Sequence, residues 1–220
     1  MRHSVVGLSG GIDSTLVAYL ADEVLGTENI YGLVMPSEVS DDKTISDAER
    51  TADELGIDYN IVEIEPLVDA ITDVAPDRND ATGDDDLREM IESLQRTVTS
   101  VRTRTLLEQL SAMTTSGVLV GTSNRSEWLT GHFDKHGDAA VDCQPILHLY
   151  KQQVRQLADY VDVPDRIVER KASPDVDGLG TDEENLGIDY DTADSILALA
   201  VNGPVSSGRT AERSVSKKKS

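Results

Sequence analysis

The feature that most constrains the fold of this chain is the segment 4–14, which reads SVVGLSGGIDS and leads directly into the apolar-periodic stretch TLVAYL. A short apolar run, a turn of small residues and a helical pattern predict a strand, a loop and a helix N-terminus in succession. Backbone N–H groups at a helix N-terminus favour a bound anion, and Gly10 and Gly11 let the backbone approach it closely. The segment therefore predicts a phosphate or pyrophosphate loop, with the hydroxyls of Ser9 and Ser14 as further donors.

Asp13 is unusual in such a loop, because a carboxylate repels phosphate unless a cation lies between them. Mg²⁺ is the simplest cation that accounts for it. The loop lacks the Gly-Lys-Ser/Thr ending of a Walker loop. It resembles instead the Ser-Gly-Gly-x-Asp-Ser pyrophosphate loop of enzymes that split ATP between the α and β phosphates. A glycine turn before a capped helix would explain Ser14, but not Asp13 together with Ser9.

Length and composition predict a single cytoplasmic domain. The 220 residues contain no run of about 18 apolar residues and no charged-then-apolar leader, so neither a membrane span nor secretion is expected. The single cysteine, Cys143, excludes an internal disulfide and any multi-cysteine zinc or sulfur-transfer site. We expect one domain over residues 1–205 and a basic, loose tail over 206–220.

The charge balance is strongly acidic, with 41 acidic and 20 basic residues and a net charge of −21. Because the acidic residues are spread along the whole chain, a halophilic protein is favoured, in which high salt screens the self-repulsion. The alternative is a protein that docks on a basic partner, which usually concentrates its charge in one block. Nucleic acid is not an expected partner of so acidic a chain.

Alternating strand and helix patterns predict an α/β fold, namely a Rossmann-like open parallel sheet with helices on both faces, similar to the adenine nucleotide alpha-hydrolases. The expected strands are 5–8, 30–35, 59–64 and 118–121. The expected helices are 15–25, 44–55, 86–113, 151–161 and 191–201. Gly26 and Gly56 follow helices and are expected to adopt the left-handed αL conformation there. Residues 77–86 are expected to form a surface loop.

A second strand-to-loop junction follows strand 118–121, where Thr122 is followed five residues later by Glu127. In an open α/β sheet the ligand lies beyond the carboxyl ends of the strands, so this junction should share a crevice with the first loop. Further polar and glycine-containing blocks follow, at residues 131–146, 149–155, 172–176 and 181–187.

These blocks, in this order, resemble the ammonia-dependent NAD synthetases over residues 5–201. The resemblance implies ATP as co-substrate, Mg²⁺ as cofactor, deamido-NAD (nicotinate adenine dinucleotide) and ammonia as substrates, and a homodimer with substrate sites at its interface. It also implies the reaction: AMP is transferred to the nicotinate carboxylate with release of pyrophosphate, and ammonia then displaces AMP. The chain given contains no glutamine-hydrolysing module, so ammonia is the implied nitrogen donor.

The resemblance also implies a role for individual residues. The implied ATP-binding residues are Gly7, Leu8, Ser9, Gly10, Gly11, Ile12, Asp13, Ser14, Thr122, Lys151 and Ser173. The implied deamido-NAD contacts are Arg102, Lys135 and Asp142. The implied Mg²⁺ ligands are Asp13 and Glu127. Lys151 is the implied charge-neutralising catalytic residue, and Asp138 the one that orients the reacting carboxylate or handles ammonium.

Other interpretations of these residues stay open. Glu127 could be a solvated helix residue and Arg102 an exposed residue of a long helix. His132 and His136 are interpreted as loop residues, and Trp128 and Tyr150 as packing residues.

Two alternative functions also stay open. One is an ATP pyrophosphatase with another acceptor. The other is a non-catalytic dinucleotide-binding paralogue or partner subunit. The latter is suggested by Val98, where many relatives have Asn, and by Met1, which nearly abuts the first strand whereas relatives carry a helical segment there.

Overall fold

The computed structural model describes residues 3–36, 42–74, 85–170 and 181–203. These ranges contain a sheet of four strands: β1 (Ser4–Gly7), β2 (Ile30–Val34), β3 (Asp58–Ile61) and β4 (Val118–Val120). The strand order is β3-β2-β1-β4, and all neighbours pair in parallel. The predicted open parallel α/β sheet is thus confirmed.

Helices connect the strands and follow the last one. The described helices are α1 (Ile12–Leu25), α2 (Asp42–Leu55), α3 (Glu65–Val74), α4 (Asp85–Thr115), α5 (Arg125–Thr130), α6 (Lys151–Tyr160), α7 (Asp165–Val168), α8 (Asp182–Leu186) and α9 (Tyr190–Asn202). Within the described ranges, no helix has the length and apolar composition that crossing a bilayer requires.

Several predicted boundaries were wrong. Helix α1 begins at Ile12 and not at residue 15, so Asp13 and Ser14 belong to the first helical turn. The expected strand 59–64 ends at Ile61. Helix α3 follows it and was not predicted, although Pro66 at its second residue is a helix-start signal. The short helices α5, α7 and α8 were also missed, because four to six residues show too little periodicity.

Two loop predictions also needed correction. Gly26 has φ 82° and ψ 146°, which is not the αL conformation, because the chain turns at once into a short 3₁₀ helix. Gly56 does have a positive φ, of 70°. Of the expected loop 77–86, residues 77–84 lie outside the described part of the chain, whereas Asp85 and Asp86 are helical. The expected boundary at 205 and the tail 206–220 also lie outside it.

The sheet buries apolar residues on both faces. Val5 and Val6 are adjacent in β1 and therefore point to opposite sides. Val6 packs in one core cluster with residues of α1, α2 and α6, such as Leu16 and Val154. Val5 packs in the other with residues of α3 and α4, among them Val68. Helices therefore cover both faces of the sheet, as predicted.

The strand order places a crevice between β1 and β4. From β1 the chain proceeds to β2 and β3 on one side, and later returns to place β4 on the other side of β1. Such a reversal opens a crevice outside the carboxyl ends of the two strands. Val6 is paired with Val120 in the register, so the loops that follow β1 and β4 face each other.

Candidate active site

The loop after β1 forms one wall of the crevice. Gly10 has φ 76°, a conformation that favours glycine. Gly11 is the N-cap of α1 and provides no side-chain cap. The first hydrogen bond of the helix runs from Thr15 N to Gly11 O over 3.1 Å. The N–H groups of the three preceding residues, 12–14, therefore lie ahead of the helical ladder, in the position where helix N-termini bind anions.

Two hydroxyl groups hold this loop in shape. Ser9 Oγ and Ser14 Oγ lie 3.0 Å apart, and Ser9 Oγ also accepts a hydrogen bond from Gly11 N over 3.2 Å. Ser14 Oγ accepts from Ser9 N over 3.2 Å and donates to Gly11 O over 3.2 Å. The two serines predicted as phosphate donors thus face each other across the loop.

The opposite wall is the loop after β4, where Asn124 orients Glu127. Asn124 is the N-cap of α5, and its Oδ1 accepts from Glu127 N over 3.0 Å. Glu127 Oε2 accepts from Asn124 N over 3.2 Å in return. The buried Asn124 also donates from Nδ2 to Glu127 Oε1 (2.7 Å) and to Asp13 Oδ1 (3.0 Å). Asn124 was missed by the sequence analysis, although Asn followed three residues later by Glu is a recognisable capping signal.

Lys151 joins the two walls. It is the first residue of α6, and its side chain is 2% exposed. Nζ lies 2.5 Å from Asp13 Oδ2 and 3.3 Å from Glu127 Oε1. Burial and a helix N-terminus both disfavour a cation, and the two carboxylates offset this cost. The structure thus brings together the three predicted residues Asp13, Glu127 and Lys151, which come from three separate segments of the chain.

Arg102 and Asp138 are connected through Asp134. The Arg102 guanidinium donates to both carboxylate oxygens of Asp134, over 3.0 and 2.9 Å, and its side chain is 48% exposed. Asp134 N donates to Asp138 Oδ2 over 2.9 Å. The Arg102 hydrogen bond lowers the pKa of Asp134, and the same bond raises the pKa of Arg102. In this structure Arg102 therefore fastens the loop that carries the exposed Lys135 to helix α4.

Asp142 lies beside β4, the edge strand of the described sheet, and its N–H donates to Leu119 O over 3.0 Å. Its Oδ2 accepts a hydrogen bond from Leu119 N over 2.8 Å. It also lines a groove of about 740 Å³ between the C-terminal end of α4, β4 and residues 140–142, together with Gln109 and Met113. Gln109 closes one side of this groove by donating from Nε2 to Ala140 O over 2.8 Å.

Gln144 connects Asp138 to the crevice. Its Nε2 donates to Asp138 O over 3.0 Å, and its Oε1 accepts from Ser123 N over 3.1 Å, next to the half-buried Thr122. The sequence analysis did not single out Gln144, because its role depends on two segments that meet only in the folded chain.

Glu108 of α4 is a further residue near the site that the sequence did not single out. A Cβ at Gly7 would overlap Glu108 Oε1, so the carboxyl group lies directly against the end of β1. Burial, and then the charge of Asp138, raise the pKa of Glu108 to about 7, while Arg104 opposes this shift.

The remaining predicted residues are placed as follows. Leu8 is buried behind the phosphate loop, and Ser173 lies outside the described residues. His132 and His136 lie in the loop after α5, as expected. Trp128 is 41% exposed and stacks on Phe133 with the ring centroids 4.4 Å apart, so it packs at the surface and not in the core.

The family model and two similar relatives of known name indicate the same family. The family model described as NAD synthase matches residues 1–220. An NH(3)-dependent NAD(+) synthetase from Halobacterium salinarum is 47% identical over 94% of this chain and 73% of the relative. The protein of the same name from Pyrococcus horikoshii is 40% identical over 88% of this chain and 70% of the relative.

Solved structures agree with this result. An NMN synthetase from Francisella tularensis superposes with a TM-score of 0.78 at 28% identity, over 100% of this chain and 87% of that one. An NH3-dependent NAD synthetase from Campylobacter jejuni, in complex with nitrate, superposes with a TM-score of 0.73 at 26% identity, over 99% and 83%.

Proposed function

Since this chain belongs to the NAD synthase family, we propose that it amidates deamido-NAD with ammonia in an ATP-dependent reaction that yields NAD⁺, AMP and pyrophosphate. The observation that supports this most is the meeting of Asp13, Glu127 and Lys151 beside a loop of free helix N–H groups. A carboxylate is a poor electrophile, so amidation requires a leaving group. The site offers the donors and the positive charge that a departing pyrophosphate needs.

In the proposed course, an oxygen of the nicotinate carboxylate attacks the α-phosphorus of ATP and pyrophosphate leaves. Ammonia then attacks the carbonyl carbon, AMP leaves with the bonding pair, and the nitrogen loses a proton. The N–H groups of residues 12–14 and the hydroxyls of Ser9 and Ser14 bind the β and γ phosphates. Lys151 neutralises their charge, and Thr122 and Ser173 contribute hydroxyl contacts to ATP.

The carboxylates of Asp13 and Glu127 are proposed to hold Mg²⁺. Both contact the same Lys151 ammonium group, so one cation can reach both, and their side chains are 18% and 16% exposed at the crevice. Two carboxylates completed by substrate phosphates and water suit Mg²⁺. When bound, the ion would withdraw negative charge from the phosphates.

Deamido-NAD is proposed to bind along the loop 131–142, with Arg102, Lys135 and Asp142 as contacts and Asp138 beside the reacting carboxylate. Arg102 would then have to share Asp134 with the substrate or release it. A homodimer is proposed to bury the groove at Asp142. Leu106, Leu110 and Met113 support it, because they are 51%, 47% and 75% exposed on the part of α4 that borders this groove.

A second acceptor has a specific observation in its favour. The Francisella tularensis structure carries the name NMN synthetase, and it superposes with a TM-score of 0.78. Nicotinate mononucleotide is therefore a candidate acceptor for the same adenylation chemistry.

The deciding experiment measures turnover in molar KCl with ATP, Mg²⁺ and ammonium, and follows AMP and the amidated product together. Deamido-NAD and nicotinate mononucleotide are compared as acceptors. Equal formation of NAD⁺ and AMP supports the proposal if it is lost in Asp13→Ala and Lys151→Ala but kept in Arg50→Ala, an exposed control on α2. AMP and pyrophosphate without NAD⁺ would indicate another acceptor. Absence of both products from folded protein would contradict an enzymatic function.

A further inference from the structure

We infer that Asp194 is a positioning residue for Lys151 and Glu127, an inference that rests on the proposed function. Asp194 lies in α9 and is 6% exposed. It belongs neither to the phosphate loop nor to the loop after β4. Its carboxylate nevertheless contacts the segments that carry two of the three residues at the centre of the site.

The contacts of Asp194 reach the first turns of α5 and α6. One carboxylate oxygen, Oδ1, accepts a hydrogen bond from the Ser126 hydroxyl group, and the other, Oδ2, accepts from Gln152 N over 2.9 Å. Ser126 Oγ in turn accepts from Lys151 N over 2.9 Å. Ser126 directly precedes Glu127, so a single buried carboxylate fixes the backbone on both sides of the Lys151–Glu127 ion pair.

A carboxylate is needed here because α6 has no acidic residue in its first turn and begins with a lysine. The first N–H groups of a helix have no partner within it and carry partial positive charge. Lys151 N and Gln152 N are two of these groups. Asp194 compensates them from a different helix, one directly and one through the Ser126 hydroxyl group.

Helix α9 also contacts the charged end of Lys151. The buried ring of Tyr190, the first residue of α9, has its centroid 5.4 Å from Lys151 Nζ. A cation over an aromatic face is attracted by the ring. The same helix therefore holds Lys151 at its main chain through Asp194 and at its ammonium group through Tyr190.

The main test is Asp194→Asn, with Asp191→Asn as a matched control on the exposed face of the same helix. Asparagine keeps the size of the side chain but offers only one acceptor oxygen. We expect folded protein whose kcat falls about tenfold or more, because small misplacements of catalytic groups are costly. The KM for deamido-NAD should stay unchanged, since Asp194 contacts none of its proposed ligands. Unchanged kcat in folded Asp194→Asn would overturn the inference.

A second readout does not depend on turnover. In ¹⁵N-lysine-labelled protein, the Nζ signal of Lys151 can be assigned by its loss in Lys151→Met. We expect Asp194→Asn to shift this signal and accelerate its proton exchange, and Asp191→Asn to leave it unchanged. An unchanged Nζ signal in Asp194→Asn would contradict positioning, whereas inactive wild-type protein with a responsive signal would contradict only the proposed function.

If Asp194→Asn does not fold, Ser126→Ala replaces it as the test. This substitution removes the hydroxyl group between Asp194 and Lys151 N but leaves the Asp194–Gln152 contact. A reduced kcat with an altered Lys151 Nζ signal supports the inference. Folded Ser126→Ala with normal kcat and a normal signal overturns it.

Discussion

Lys151 Nζ lies 2.5 Å from Asp13 Oδ2, and the Lys151 side chain is 2% exposed. The second carboxylate, Glu127, is 3.3 Å from the same nitrogen. The lysine therefore compensates the charge of the same two carboxylates that are proposed to hold Mg²⁺. Replacing Lys151 and adding Mg²⁺ should consequently affect the same pair of groups.

For Lys151→Met we expect turnover to fall about 10²-fold or more, because a preorganised charge at the phosphates is lost. Folding stability should fall by about 1–3 kcal/mol, since the two carboxylates lose the cation that they share and keep the Asn124 amide as a common donor. Added Mg²⁺ should raise the Tm of Lys151→Met more than that of the wild type. Scanning calorimetry with and without Mg²⁺ measures this. An equal response of both proteins would argue against Mg²⁺ at Asp13 and Glu127.

Glu127→Gln should raise the Mg²⁺ concentration needed for half-maximal turnover, since one of two anionic ligands becomes neutral. The amide can still accept the hydrogen bond from Asn124 N, so the first turn of α5 should stay intact. Titrating Mg²⁺ at saturating ATP measures the effect. The control is Glu23→Gln, an exposed position on α1. Equal Mg²⁺ dependence of both variants would rule out a metal-binding role for Glu127.

The sequence was sufficient to predict the sheet and the meeting of Asp13, Glu127 and Lys151. Asp13 and Glu127 follow strands that are read from apolar runs, and parallel strands place their carboxyl ends at one edge. Lys151 was predicted from the family resemblance. Asp194 and Glu108 were not predicted, because their importance arises from contacts between distant segments and no local pattern marks them. The Arg102–Asp134 pair was missed for the same reason.

Glu108→Gln should stabilise the fold at neutral and alkaline pH. The pKa of Glu108 is raised from its ordinary value of 4.5 to about 7, so the folded state keeps a proton that the unfolded chain has lost. The free energy of unfolding therefore falls as the pH rises from about 4.5 to 7, and the loss is complete above that range. Glutamine does not ionise, so the variant should be more stable by about 1–3 kcal/mol at pH 8 and equally stable near pH 4.

Urea unfolding of both proteins across this pH range measures the effect. The exposed Glu23→Gln should show the wild-type pH dependence. If the free energy of unfolding of Glu108→Gln falls with pH as steeply as that of the wild type, another group causes the pH dependence.

Potassium chloride should stabilise this protein up to molar concentrations. With 41 acidic and 20 basic residues, the acidic side chains repel one another across the surface. At about 0.1 M salt the Debye length is about 10 Å, so charges closer together than this still repel one another. We expect Tm to rise by several degrees, on the order of 5 °C, between about 0.1 M and 2 M KCl. Replacing exposed acids near helix C-termini by lysine, as in Glu23→Lys with Asp159→Lys, should raise Tm at low salt and flatten the salt dependence of Tm. Sucrose is the control for exclusion effects, because it lacks charge and should not distinguish the variant from the wild type. A Tm that is independent of KCl would contradict a surface adapted to high salt. So would a Tm that rises equally steeply with KCl in the wild type and in the lysine variant.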